Sequence, residues 1–247
     1  MGASYRKLGS IGWIVPPRCN ETVIEEVVRL RPPGLAWCFA SLAMDRFGRR
    51  DFDDALDAVR LVAGQLEERR VDVIVYSGMP LTASRGAGFH ADLAAEIGRS
   101  LQTPLPVTTD TAIVLDALDR LDARRVSIIT PYKDETVQQV RDVFVGAGQE
   151  VVDAVGCGWS LAEFITEPDD DTSYEAALRS FEQHPDTDAF YLGCPQWPVV
   201  GNIARIEQAT GKPVVTQAQT IAWWTMGQLG VNADMSGFGQ LFEHDAR

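Results

Sequence analysis

Short apolar runs rich in β-branched and aromatic residues alternate along the chain with longer stretches whose apolar positions recur every three or four residues. Runs of the first kind suit strands buried on both faces, and stretches of the second kind suit helices with one apolar side, so the alternation is that of βαβ units. The pattern predicts strands at 11–15, 35–40, 71–76, 106–109, 126–130, 151–155, 189–192 and 213–216. It predicts helices at 53–68, 111–121, 134–146, 173–182, 199–210 and 220–229, several of them ending near a glycine that can take the left-handed backbone of a helix stop. From Gly230 onward neither period holds, and the tail reads as a loop closing back on the body.

The two halves repeat. VDVIVYSGMP (71–80) matches TDAFYLGCPQ (187–196), with Asp72 on Asp188 and Gly78 on Cys194, 116 positions apart in both cases. IGWIVPP (11–17) matches VSIITPY (126–132) at a shift of 115, and LPVTTDTAIVLDAL matches KPVVTQAQTIAWWT at a shift of 107. The predicted fold is therefore α/β, with two similar lobes related by a pseudo-twofold axis, each a parallel sheet flanked by helices. The lobes are expected at 1–122 and 123–247, joined near 122–124, with the tail packing on the first lobe. Ligands of open parallel sheets sit at the carboxyl ends of the strands, so the cleft between the lobes is the expected site.

Composition narrows the function. The chain has 247 residues, 45% of them hydrophobic, enough for a sizeable core. Lys and Arg number 22 against 35 Asp and Glu, a net charge of −13, which excludes a nucleic-acid or anionic-membrane partner built on clustered cations. The N-terminal apolar run stops at Pro16-Pro17 and no run reaches membrane-spanning length, so a soluble cytoplasmic protein is expected, as a monomer or a homo-oligomer. Cys19, Cys38, Cys157 and Cys194 show neither CxxC nor zinc spacing, and Asp169-Asp170-Asp171 lacks the glycine and closing glutamate of a calcium loop, so no metal site is expected. His90, His184 and His244 are scattered, and no Ser-His-Asp set is legible. Gly86-Ala87-Gly88-Phe89-His90-Ala91 has a dinucleotide-like form but lies well past its strand, and it reads as the start of a helix.

One cysteine has a chemical context. Leu192-Gly193-Cys194-Pro195-Gln196-Trp197-Pro198 follows an apolar strand, and a helix is expected to open there, which would place the thiol among free N–H groups at a positive helix end. Ser77-Gly78-Met79-Pro80 is the matching turn of the other half.

These residues, together with Gly12-Trp13-Ile14-Val15-Pro16-Pro17, Arg85-Gly86-Ala87-Gly88-Phe89, Thr130-Pro131-Tyr132 and the closing Gly237-Phe238-Gly239-Gln240-Leu241-Phe242, resemble the motifs of the aspartate/glutamate racemase superfamily. More narrowly they resemble its branch of arylmalonate decarboxylase and maleate cis-trans isomerase. The resemblance implies cofactor-free chemistry on a carboxylate held between paired turns. Racemases and isomerases of that superfamily carry a cysteine in each turn, whereas here Gly78 replaces the first, as in the decarboxylase pattern. A single thiol suffices to give a proton to the enediolate left when carbon dioxide departs.

The resemblance is mixed. Met79 and Pro80 stand where the decarboxylase pattern has hydroxyl residues, and Pro195 and Gln196 follow the cysteine where it has glycines. The run from Cys194 to Pro198, together with Asn20, looks more like the isomerase. The expected function is decarboxylation of a malonate-type, arylmalonate-like diacid with Cys194 as proton donor. The alternatives are a maleate-type isomerase or amino-acid racemase using Cys194 as nucleophile or base, and a non-catalytic carboxylate-binding protein. The small dicarboxylate or aryl-substituted carboxylate is expected to lie on Pro16, Asn20, Gly78, Met79, Tyr132, Pro195 and Gln196. Met44, Trp159, Phe164 and Trp197 are expected to form the apolar wall.

Overall fold

The computed structural model describes residues 6–46, 49–164 and 166–243. Its strands are β1 (Gly9–Pro17), β2 (Leu35–Met44), β3 (Val73–Tyr76), β4 (Val107–Thr109), β5 (Arg125–Thr130), β6 (Glu150–Gly156), β7 (Ala189–Leu192) and β8 (Val214–Thr216). All eight expected strands are present. β1 and β2 run further than expected because they pair in parallel to their ends, Pro17 opposite Met44, across an irregularity between Val15 and Pro17 that accommodates the prolines.

The helices are α1 (Glu21–Leu30), α2 (Arg49–Glu68), α3 (Met79–Ala83), α4 (Phe89–Ser100), α5 (Asp110–Arg120), α6 (Asp134–Gly146), α7 (Thr172–Gln183), α8 (Ile203–Thr210), α9 (Gln217–Leu229) and α10 (Gln240–Glu243). α1, α3 and α10 escape the sequence reading. α1 is rich in β-branched residues, which lower helix propensity, and it leaves Ile24 and Val28 exposed, so its apolar face is blurred.

The strands form two parallel sheets of identical topology, β2-β1-β3-β4 and β6-β5-β7-β8. The repeat has a physical role at each sheet. Asp72 Oδ2 accepts from the Ser10 N–H at 2.7 Å and its hydroxyl at 2.8 Å, and Asp188 Oδ2 accepts from the Arg124 and Arg125 N–H groups at 3.0 and 2.8 Å. Each aspartate satisfies the opening amides of its central strand, so the register of β1 against β3 and of β5 against β7 is pinned at the same place. At the other end, Thr109 and Thr216 cap α5 and α9, the latter in a reciprocal capping box with Gln219. α5 packs against α9, and α9 also reaches β3 and α1, so the carboxyl ends of both sheets face one cleft. Trp223 and Trp224 of α9 are half-buried against the core.

The tail is held by the second half. Gln219 Nε2 donates to the Phe238 carbonyl at 2.7 Å, the Gln240 N–H meets the Glu207 carboxylate, and Leu241 is fully buried against β8. Glu207 of α8 also accepts from the Val214 N–H of β8 and so joins the tail to that strand. Among the described residues no helix is long and apolar enough to cross a membrane, and no group of three His, Cys, Asp or Glu could hold a metal ion. His244 lies outside the described residues.

Candidate active site between the two sheets

A cavity of about 40 Å³ lies where the strand ends converge. The first half contributes Val15, Pro16 and Pro17 at the end of β1, Asn20 just beyond it, Met44 at the end of β2, Ser77 to Leu81 after β3, and Asp110 at the start of α5. The second half contributes Tyr132 after β5, Phe164, Cys194 to Gln196 after β7, and Gln217 at the start of α9. Cys194 and every residue expected to hold the carboxylate are therefore on this wall.

Cys194 is the second residue past β7 and is buried, with φ +76°, a left-handed backbone that costs a non-glycine residue about 1–3 kcal/mol. The surroundings hold it there. Trp197 Nε1 donates to the Gly193 carbonyl at 2.7 Å, Gly193 N–H donates to Ile129 at 2.8 Å, and the Glu26 carboxylate accepts from Val199 and Val200 N–H at 2.9 and 2.6 Å. Gln196 Nε2 reaches the Cys19 carbonyl at 2.9 Å and ties the loop to the first half. A side chain on Gly193 would meet Thr130 Cγ2 at 2.9 Å, so that residue must stay bare for the loop to sit over β5.

The expected helix at this turn is displaced. After Cys194 the chain makes turns, then a single 3-10 turn at Val200–Asn202, and α8 begins only at Ile203. The helix that follows this turn therefore does not open at the thiol. Burial dominates and pushes the Cys194 thiol up to about 12, although the Gln196 N–H at 3.4 Å and the Tyr132 hydroxyl both hydrogen-bond its sulfur and act in the opposite direction. At neutral pH the group is a thiol.

Tyr132 is placed by Gly156. The strand β6 passes so close that a Cβ at Gly156 would lie 2.2 Å from the Tyr132 carbonyl oxygen, and only glycine permits the approach. The Tyr132 ring packs 6.0 Å from that of Phe164, and its hydroxyl, expected to hold a substrate carboxylate, is engaged with Cys194.

The matching turn has no side chain. Gly78 has φ +145°, and a Cβ there would meet Pro16 Cγ and the Tyr76 hydroxyl, each at 2.8 Å. Its N–H donates to Asp110 Oδ2 at 3.0 Å. The Met79 sulfur accepts from the Tyr191 hydroxyl at 3.5 Å.

Asn20 lies on the cavity wall; one N–H of its Nδ2 donates to the Pro17 carbonyl at 2.9 Å, and its Oδ1 is buried without a partner. Two of the expected wall residues stand elsewhere. Trp197 is fully buried behind the Cys194 loop, and Trp159, packed edge-on against it with centroids 6.1 Å apart, lines a separate open recess with Lys133 and Arg46. Aromatic size drew the sequence reading to them, but their work is support. Met44 and Phe164 do line the cavity.

Asp110 and Gln217 were missed. Asp110 is fully buried, accepts from Thr111 N–H at 2.7 Å on one oxygen, and on the other from Gly78 N–H and from Gln217 Nε2 at 3.1 Å. Burial raises its pKa against the pull of those donors. The signal for the pair lay in the repeat: the 107-residue shift puts Asp110 on Gln217, each the first residue of a helix at a strand's carboxyl end.

Known proteins share this fold. The family model described as arylmalonate decarboxylase matches residues 11–242. The arylmalonate decarboxylase of Bordetella bronchiseptica is 29% identical over 238 residues, covering 95% of this chain and 96% of its own. The maleate isomerase of Pseudomonas putida is 24% identical over 253 residues, covering 95% and 97%. Among solved structures, a double mutant of arylmalonate decarboxylase in its liganded form superposes with a TM-score of 0.84 at 26% identity, covering 95% of this chain and 99% of that one. With the fold, the paired turns and a match over nearly the whole length in agreement, the chain belongs to the arylmalonate decarboxylase family.

Proposed function

We propose that this protein decarboxylates a malonate-type diacid and that Cys194 protonates the resulting enediolate. The observation that carries the reading is the pairing of a buried, neutral Cys194 thiol with a bare Gly78 in the equivalent turn, one proton donor on one face of the cavity. The retained carboxylate would rest on the Met79 and Cys194 N–H groups. The leaving carboxylate would lie against Val15, Pro16, Met44 and Phe164, where the loss of hydration disfavours its charge. As the C–C bond breaks, its electron pair passes into the retained carboxyl and carbon dioxide leaves. The S–H proton of Cys194 then forms the new C–H bond, and the Tyr132 hydroxyl and Gln196 N–H steady the thiolate until solvent reprotonates it. Delocalisation into a carboxyl held by N–H groups takes the part of an electron-sink cofactor.

A second reading is a cis-trans isomerase of a four-carbon diacid, for which the maleate isomerase relatives speak. That reaction needs sulfur to add to the double bond as thiolate, which burial of Cys194 opposes. Proton NMR in deuterium oxide separates the two. Loss of a carboxylate from methylmalonate or phenylmalonate with one deuteron gained, dependent on Cys194, supports the decarboxylase, whereas maleate turning into fumarate supports the isomerase. Tight ligand binding without turnover would point to a carboxylate-binding protein instead.

A further inference from the structure

The loop that carries Cys194 cannot hold its own shape. Pro195 and Pro198 have no N–H to give, and Cys194 itself sits in the left-handed region, so the segment needs partners outside it. Its own half grips the far end, where Ser173 Oγ donates to the Pro198 carbonyl at 2.7 Å and accepts from Asn202 Nδ2 at 2.8 Å. The first half grips it twice. Glu26 Oε2 accepts the Val199 and Val200 N–H groups together, and Gln196 Nε2 donates to the Cys19 carbonyl.

The helix α1 is the element through which the first half reaches this loop. Asn20, the residue before its first turn, and Val23 both line the cavity, and Val23, Glu26, Val27 and Leu30 are its buried residues. A spacing of three puts Glu26 on the same face as Val23 and one turn further along, where α1 packs on the 3-10 turn Val200–Asn202. One helix thus ties the cavity wall at Val23 to the end of the thiol loop. The Glu26 side chain is buried, and both N–H groups fall on a single oxygen, so withdrawing that oxygen by one methylene breaks both bonds at once.

We infer that Glu26 is a positioning residue for the reaction: from the first half of the chain it fixes the loop that presents the Cys194 thiol to the cavity, acting as a hydrogen-bond acceptor and not through its charge. The inference rests on the proposed role of Cys194 as proton donor and goes beyond it in naming what sets that donor in place.

Three substitutions separate acceptor, reach and charge. Glu26→Gln keeps an acceptor oxygen at the same reach and removes the charge, Glu26→Asp keeps the charge and loses the reach, and Glu26→Met keeps the length without an acceptor oxygen. Thermal unfolding sets a temperature at which the variants are folded, and either of the last two, once folded, decides the outcome. The readouts are alkylation of Cys194 at alkaline pH, followed by mass spectrometry of its peptide, and decarboxylation of methylmalonate in deuterium oxide with the product resolved by configuration. Glu26→Gln is expected to stay within about threefold of the wild type in both rates and to give one enantiomer. Glu26→Asp and Glu26→Met are expected to label Cys194 about fivefold faster or more, because a loosened loop exposes the sulfur. They are also expected to lose turnover by about 10- to 100-fold and to give a product of mixed configuration, because a displaced thiol yields to solvent as the proton source. Wild-type labelling, turnover and configuration in a folded Glu26→Asp or Glu26→Met protein overturn the inference. A Glu26→Gln protein as impaired as Glu26→Asp overturns it too, because the charge would then be what acts. Failure of the decarboxylase reading looks different: the wild-type protein leaves methylmalonate intact while the three substitutions keep the same order of labelling.

Discussion

Gly78 and Cys194 occupy the same place in the two halves, each the second residue past a central strand and each with positive φ, +145° and +76°. One turn carries the thiol, and the other is closed to any side chain by Pro16 and by the Tyr76 hydroxyl. The asymmetry is thus built into the neighbours of Gly78 and does not reside in that residue alone.

Tyr76 is central to the first prediction. Its hydroxyl is buried without a partner, so Tyr76→Phe leaves stability unchanged or raises it by up to about 1 kcal/mol. Gly78→Ala costs about 2–4 kcal/mol from backbone strain and the two contacts, and Tyr76→Phe recovers part of that in the double variant. Urea unfolding of the four proteins checks the cycle; strict additivity would contradict the contact between the two positions.

Glu26 supplies a prediction in pH. Burial holds its pKa above the usual carboxylate value, with the Val199 and Val200 N–H groups pulling the other way. The folded state therefore keeps its proton more readily than the unfolded one, and the contribution is fully present below the unfolded value and lost as pH rises through the folded one. Glu26→Gln keeps an acceptor for the loop and removes the charge, so stability falls less steeply with pH over that window. Glu26→Ala removes the acceptor too and lowers stability by about 2–4 kcal/mol. Denaturant midpoints across the weakly acidic range decide it, and an unchanged slope in Glu26→Gln would count against a raised Glu26.

Thiol reactivity tests the Tyr132 contact. Because the hydroxyl donates to sulfur, Tyr132→Phe raises the Cys194 pKa further and slows alkylation at alkaline pH, while turnover falls by about 10²-fold. Mass spectrometry of the Cys194 peptide follows the alkylation. Faster labelling in the variant would show that the hydroxyl does not support the thiolate.

Gly156→Ala should act through Tyr132. The added methyl meets the Tyr132 carbonyl, so the variant loses about 1–3 kcal/mol of stability and, measured where it is folded, loses turnover in the manner of Tyr132→Phe. Normal turnover would mean that β6 yields without moving the tyrosine.

What the sequence made legible follows from where its signal lies. All eight strands were readable because they are short apolar runs set between helical stretches, the central β1, β3, β5 and β7 being buried on both faces, and the repeat showed which turns oppose each other. Cys194, Tyr132 and Gly78 followed from motifs at those turns. The helix expected at Cys194 failed because Pro195 and Pro198 break the helical hydrogen-bond ladder before α8 can start. Asn20 was assigned a carboxylate from the resemblance to the isomerase, and only the folded backbone shows that one of its N–H groups is spent on Pro17. Asp110 was hidden because an acidic residue opening a helix is usually a surface feature; its burial comes from α9 packing across the cleft, a contact no local pattern encodes.

The central claim is that Cys194 alone delivers the proton, from one face. The most direct measurement is decarboxylation of methylmalonate and phenylmalonate in deuterium oxide, with the deuterated product resolved by configuration and Cys194→Ala and Cys194→Ser run alongside. The account predicts a single deuteron in a single enantiomer and loss of turnover by about 10²-fold or more in both variants. A racemic label, or variants that turn over as the wild type does, would contradict it.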